Sequence, residues 1–114
     1  MSMKKSVTAL KNSFTDCQEM FEALGDVNRQ NILLVLCDTT CSTGLRVGAI
    51  TAAVNLSRPA VSHHLKILRA AKLVSVRHEG AMNFYYADIQ TNFDKLQTLL
   101  TNLATLKENT IHHD

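Results

Sequence analysis

Cysteine is scarce in this chain. There are three in 114 residues, Cys17, Cys37 and Cys41, and no two form a Cys-x-x-Cys pair. An odd number without that spacing argues against a disulfide framework, a zinc ribbon and a thioredoxin-like redox site. Long apolar runs are also missing. None reaches the ~18 residues that a membrane helix needs, so no membrane contact is expected. The opening "MSMKKSVTALKNSFTDC" has two lysines but no apolar block behind them, and reads as a poor signal peptide. A cytoplasmic location is therefore expected. The four glycines are scattered and mark turns. No phosphate loop and no nucleophile–base pair stands out, so an enzyme is not expected. Internal repeats and low-complexity tracts are absent. With 46% hydrophobic and 19% charged residues, the chain has the composition of a folded domain. Its length suits one domain over residues 1–114.

Charge is present but unevenly spread. Net charge is +2. Between Ser57 and His78 stand Arg58, Lys66, Arg69, Lys72 and Arg77 with no acid, a local charge of +5. The other seven basic residues face all ten acids, leaving −3. His63, His64 and His78 lie in the same basic segment. Local positive charge on an acidic body is the footprint of a nucleic-acid contact surface, or more blandly a solvated face.

Hydrophobic spacing gives the elements. Over 6–24, Val7, Leu10, Phe14, Cys17, Phe21 and Leu24 recur every three or four residues, predicting an amphipathic helix ended by Gly25. Asp26 can cap a second helix, "VNRQNILLVLC", with Ile32, Leu33 and Leu36 inward. "DTTCSTG" reads as a loop. A third helix is predicted over about Leu45–Val54, with Val47, Ile50 and Val54 inward. Asn55 tolerates the left-handed backbone of a tight turn. Ser57 is a good N-cap and Pro59 suits a first helical turn. The fourth helix then runs to about Ala71 with Val61, Leu65 and Leu68 inward. Two helices this closely joined form a helix-turn-helix, over about 45–71.

From Val74 the period changes to two. Val74 and Val76 alternate with Ser75 and Arg77, Gly80 turns, and Phe84-Tyr85-Tyr86 resumes a strand. This predicts a β-hairpin over about 73–87 with a four-to-five-residue tip. Ile89, Phe93, Leu96, Leu100 and Leu103 then mark a last helix over about 89–107, its apolar face widened by Leu99 and Leu106. A hairpin behind a recognition helix is a wing. The expected fold is a mostly α winged helix-turn-helix, with the terminal helices supplying a dimer interface through Leu10, Phe14, Phe93, Leu96, Leu100 and Leu103.

"FEALGDVNRQNILLVL" and "LSRPAVSHHLKILRAAKLVSVRHEGAMNFYY" closely resemble the ArsR/SmtB family of bacterial repressors over about residues 20–87. The resemblance implies a homodimer that binds a double-stranded DNA operator and releases it to an inducer. The family's usual metal residues are missing. Arg46 and Gly48 stand where the third helix of metal sensors carries thiols. At the last helix Asp88 remains, but Gln90, Thr101 and Ala104 occupy the other ligand positions. The last helix has no cysteine for the thiol pairing of other members. No metal site and no cofactor is implied. At the DNA end, Asn55 replaces the usual turn glycine and Thr51 a smaller alanine, and the tip Ala81-Met82-Asn83 lacks the arginine often found there.

The expected DNA contacts are Ser57, Arg58, Ala60, Ser62, His63, His64, Lys66, Arg69, Arg77 and His78. Adjacent helical positions diverge by about 100°, so His63 and His64 do not pair on one ion. His63 shares the exposed face with Arg58, Ser62 and Lys66, whereas His64 lies at the core edge and suits a packed, hydrogen-bonded role. Arg58 could fork to guanine, worth about 1–3 kcal/mol of discrimination, or take a phosphate. Arg69, Lys72 and Arg77 suit phosphates or solvent. Cys17 is expected in the core and Cys37 as a buried apolar residue. The rival reading is a small metal- or thiol-responsive protein using Cys37, Cys41 and the terminal His112 and His113.

Overall fold

A computed structural model describes residues 3–38 and 43–111. The helices are α1 (Met3–Leu24), α2 (Val27–Asp38), α3 (Val47–Val54), α4 (Arg58–Ala70) and α5 (Gln90–Ile111). Strands β1 (Val74–Glu79) and β2 (Met82–Ala87) lie between α4 and α5. The fold is a winged helix-turn-helix, mostly helical, as the hydrophobic spacing implies. No described helix is long and apolar enough to cross a membrane.

The chain forms two compact units, one from Met1–Gln18 with Gln90–Asp114 and the other from Glu19–Ile89. In the first, Ser6, Ser13, Cys17, Asn92 and Leu99 are buried. Asn102 Nδ2 donates to Ser13 Oγ at 2.7 Å and to the Ala9 carbonyl at 3.4 Å, tying α5 to α1. Burial pushes the Cys17 thiol above its ordinary pKa, aided by the charge of Asp16 and opposed by Lys95. It is thus a core residue and a poor nucleophile. Val7, Phe14, Phe93, Leu100 and Leu103 remain exposed in the single chain. The buried residues of α1 are Ser6, Ser13, Cys17, Met20 and Ala23, whereas Val7, Phe14 and Phe21 are exposed.

In the second unit, Ile32 and Leu36 of α2, Ile50 of α3, and Val61, Leu65 and Leu68 of α4 form the core. α2 packs on α3, α4 and β2. Asp26 Oδ1 accepts from the backbone N–H groups of Asn28 and Arg29, capping α2. Asn55 adopts φ 56°, ψ 45° and closes α3 with its N–H on the Thr51 carbonyl. Ser57 Oγ accepts from the Ala60 N–H at 3.3 Å, capping α4. At the far end of α4, Lys72 takes φ +61°. The N–H groups of Lys72 and Leu73 bond the Arg69 and Leu68 carbonyls, a Schellman closure made without glycine.

Four expectations need correction. α3 starts at Val47, because Leu45 is extended and exchanges two 2.8 Å backbone hydrogen bonds with Tyr85. The wing therefore has a third short rung beside β2. Its tip is the two residues Gly80-Ala81, since pairing continues out to Glu79↔Met82 and Gly80 supplies the positive φ that a two-residue hairpin needs. Gly25 follows α1 but is not left-handed. Cys37 is exposed, because it lies one helical step beyond the buried Leu36 and turns away from the core. Cys41, His112 and His113 lie outside the described residues.

Candidate nucleic-acid interface

Three buried residues set the orientation of α4. Val61, Leu65 and Leu68 are at most 1% exposed, which turns Arg58, Ser62, His63, Lys66 and Arg69 to solvent. The side chains of Arg58, Ser62, His63, Lys66 and Arg69 have no hydrogen-bond or ion-pair partner among the described residues. Ser57 is used as the cap, and Ala60 is half-buried. An exposed, basic helix face with unspent donors, held on a rigid core, can enter a DNA groove.

His63 and His64 separate as their spacing suggests. His63 is exposed and His64 half-buried, with ring centroids 5.8 Å apart. His64 Nδ1 lies 3.3 Å from Arg29 Nη1. A guanidinium only donates, so Nδ1 is the accepting atom of this contact. Arg29 also donates to the Ala23 and Glu22 carbonyls, satisfying the end of α1. Its backbone N–H holds the Asp26 carboxyl below the ordinary range, against desolvation; the Asn28 N–H and the nearby Arg29 side chain act the same way. Arg29 thus fixes the back of the recognition helix. Sequence reasoning missed it, because only the fold brings it to a residue 35 positions away.

The wing residues fare differently. Arg77 donates to Glu79 Oε1 at 3.1 Å and to the Thr43 carbonyl at 3.0 Å, and its guanidinium sits 4.9 Å from the Phe84 ring centroid. Those contacts staple the wing to the chain before Leu45. His78 Nδ1 pairs with Asn83 Oδ1 at 2.6 Å across the strands. Ser75 Oγ donates to Asp88 Oδ2 at 2.8 Å.

A second residue escaped the sequence reading. Arg46 flanks α3 and lines a cleft of about 380 Å³ with Val47, Gly48, Arg58, Ala81 and Asn83. Its signal was a positive charge eleven residues ahead of the basic segment, just before the other helix of the pair. Among the described residues no three His, Cys, Asp or Glu side chains group as a metal site would require.

Comparisons with known proteins agree with this geometry. A family model described as "Bacterial regulatory protein, arsR family" matches residues 26–76. An uncharacterised helix-turn-helix transcriptional regulator from Methanocaldococcus jannaschii is 40% identical over 68 residues, 60% of this chain and 73% of that protein. The transcriptional repressor SdpR of Bacillus subtilis is 30% identical over 81 residues, 71% of this chain and 86% of that one. Among solved structures, an ArsR-like transcriptional regulator from Rhodococcus sp. RHA1 has the same fold, with a TM-score of 0.75 at 23% identity over 89% of each chain. Reduced HlyU from Vibrio cholerae matches with a TM-score of 0.59 at 26% identity, over 82% of this chain and 87% of that one.

Proposed function

The chain belongs to the ArsR family of bacterial regulatory proteins, and from that premise we propose a dimeric repressor of a palindromic operator in double-stranded DNA. Members of this family are transcriptional regulators, not enzymes. The observation that carries the reading is the solvent face of α4, where Ser62, His63, Lys66 and Arg69 stand unpaired beside Arg58 with no acid between Ser57 and His78. In this reading Ser62 and His63 face base edges, and Lys66 and Arg69 take phosphates. Ser57 and Ala60 border the phosphate path. His64 acts through its packing with Arg29. Arg77 and His78 hold the wing in position. Residues 1–114 act as one cytoplasmic DNA-binding domain.

The dimer is supported by the exposed apolar faces of the terminal helices, with Phe14 at 46%, Phe93 at 55%, Leu100 at 55% and Leu103 at 45% exposure, beside half-buried Leu10 and Leu96. A two-fold dimer reads half-sites centred about 34–36 Å apart or a multiple of that. Fluorescence anisotropy with duplexes selected from genomic DNA is the test. A two-fold symmetric site bound by two protomers is the expected result. Absence of any preference over random duplex at moderate salt would reject the repressor reading.

The inducer is proposed not to be a metal held at the family's usual sites, which here retain only Asp88. Titrating about one equivalent of zinc, cobalt, cadmium or arsenite per protomer into the DNA complex should leave it intact. The rival metal- or thiol-handling reading has the exposure of Cys37 in its favour.

A further inference from the structure

We propose that the cleft between the start of α3, the start of α4 and the wing tip is a phosphate site, occupied by one backbone phosphate of bound duplex. This rests on the DNA-binding reading above and settles Arg58, which the sequence left open between a guanine and a phosphate, on the phosphate. The unspent side-chain groups of the residues that line the cleft are donors. Arg46 and Arg58 bring two guanidiniums, and neither has a partner among the described residues. Asn83 spends its carbonyl oxygen on His78, which leaves its amide N–H groups. Arg46 makes no side-chain cap for α3, and the Arg46 carbonyl is bonded by Ala49 and Ile50. The Val47 and Gly48 N–H groups are thus the open donors of the helix start. No carboxylate lines the cleft. Two cations in one concavity, uncompensated, call for an anion.

Gly48 shapes the wall. A Cβ there would lie 3.9 Å from Arg58 Nη1, so the Arg58 guanidinium sits beside the start of α3. That position points Arg58 at a phosphate and away from a guanine edge. The phosphate belongs to DNA for a geometric reason. With α4 in one groove and the wing tip toward the next, the strand dividing the grooves passes between the start of α4 and the tip. The cleft opens there. Arg46 and Arg58 then set register and affinity, and sequence preference falls to Ser62 and His63.

The experiment measures Arg46→Gln, Arg58→Gln and the two Lys variants against a selected duplex and a random duplex, each across a salt series. Thermal melts confirm folding; the Lys variants keep the charge should a Gln variant melt early. Each Gln change should weaken both duplexes about fivefold at 0.15 M salt and lower the salt slope by about one. Each Lys change should retain most of the affinity. An Arg46→Gln protein that binds both duplexes like the wild type overturns the site. So does an Arg58→Gln protein that loses preference for the selected duplex while binding random duplex unchanged, which would make Arg58 a base reader. A second arm titrates inorganic pyrophosphate and follows the Val47 and Gly48 amide resonances. Shifts that disappear in Arg46→Gln and are reversed by duplex support the proposal. If the wild type binds no duplex, the repressor reading fails by itself. Stoichiometric pyrophosphate binding would then assign the cleft to a free anion and overturn DNA as its source, while unmoved amides would overturn the cleft itself.

Discussion

Replacing Gly44 by Ala tests how the wing is attached. Gly44 has φ +72°, and an added Cβ would lie 2.8 Å from the Tyr85 carbonyl oxygen and 3.3 Å from two Phe84 atoms. The left-handed backbone costs a non-glycine residue about 1–2 kcal/mol. The clash adds to this, because the obstructing atom is backbone. That oxygen accepts the Leu45 N–H at 2.8 Å, and relief of the overlap lengthens a bond worth about 1 kcal/mol, together with its reciprocal from Tyr85 to Leu45. The expected loss is about 2–4 kcal/mol. Gly80→Ala is the matched control. It has φ +59° and nothing within 4 Å of the added atom, so only the backbone cost of about 1–2 kcal/mol applies. Both changes remove the same freedom from the unfolded chain, so their difference reads the clash alone. Urea unfolding at one fixed protomer concentration measures it, since the proposed dimer would make the midpoint concentration-dependent. If Gly44→Ala lost no more than Gly80→Ala, the Leu45–Tyr85 rung would carry no stability and the account of the wing would be wrong.

The other perturbations concern single features. Thr51 Oγ1 is buried with no hydrogen-bond partner among the described residues, so Thr51→Val should raise stability by about 1 kcal/mol in urea, whereas Thr51→Ser should not. Leu100→Glu with Leu103→Glu should give a folded monomer in sedimentation; a double variant that stays dimeric would move the interface elsewhere. Asp26 has a lowered carboxyl pKa in the folded protein. Its contribution is therefore full above the unfolded pKa and is lost as pH falls through the folded one. Between neutral pH and about pH 3, wild-type protein should lose more of its urea midpoint than Asp26→Asn, and equal losses would refute the linkage.

The elements that sequence reading located best are those whose signal is local. In α4 the cap at Ser57, the proline behind it and the Val61–Leu65–Leu68 stripe all agree, and burial follows them. Where boundaries moved, a distant residue decided. Leu45 looks helical beside Val47 and Ile50, yet its partner is Tyr85, forty residues on. Met82 and Asn83 look like loop, yet each pairs with a β1 residue. α2 is apolar on more than one side, so its spacing placed Leu36 inward but could not say that Cys37 faces out. On α1 the visible pattern ran through Val7, Phe14 and Phe21, which stay exposed; of that pattern Cys17 is buried, together with Ser6, Ser13, Met20 and Ala23, which the pattern left out.

Arginine shows most directly why part of the interface could not be read in advance. Arg29, Arg46, Arg58 and Arg77 carry the same charge and the same five donors, and composition counts them alike. Their availability differs because of what the fold sets beside them. Arg29 meets two α1 carbonyls and His64, and becomes a brace. Arg77 meets Glu79, the Thr43 carbonyl and the Phe84 ring, and becomes a staple, although it lies inside the basic segment. Arg46 and Arg58 line a cleft without a carboxylate and have no side-chain partner among the described residues, so their charge stays unspent at the surface. A guanidinium with its acceptors already in place gains little from a phosphate, because it must exchange bonds to reach it. One without acceptors gains the whole charge-assisted bond. The binding surface is therefore set by the supply of acceptors as much as by the positions of cations. Acceptors are largely backbone carbonyls, whose positions a sequence does not print.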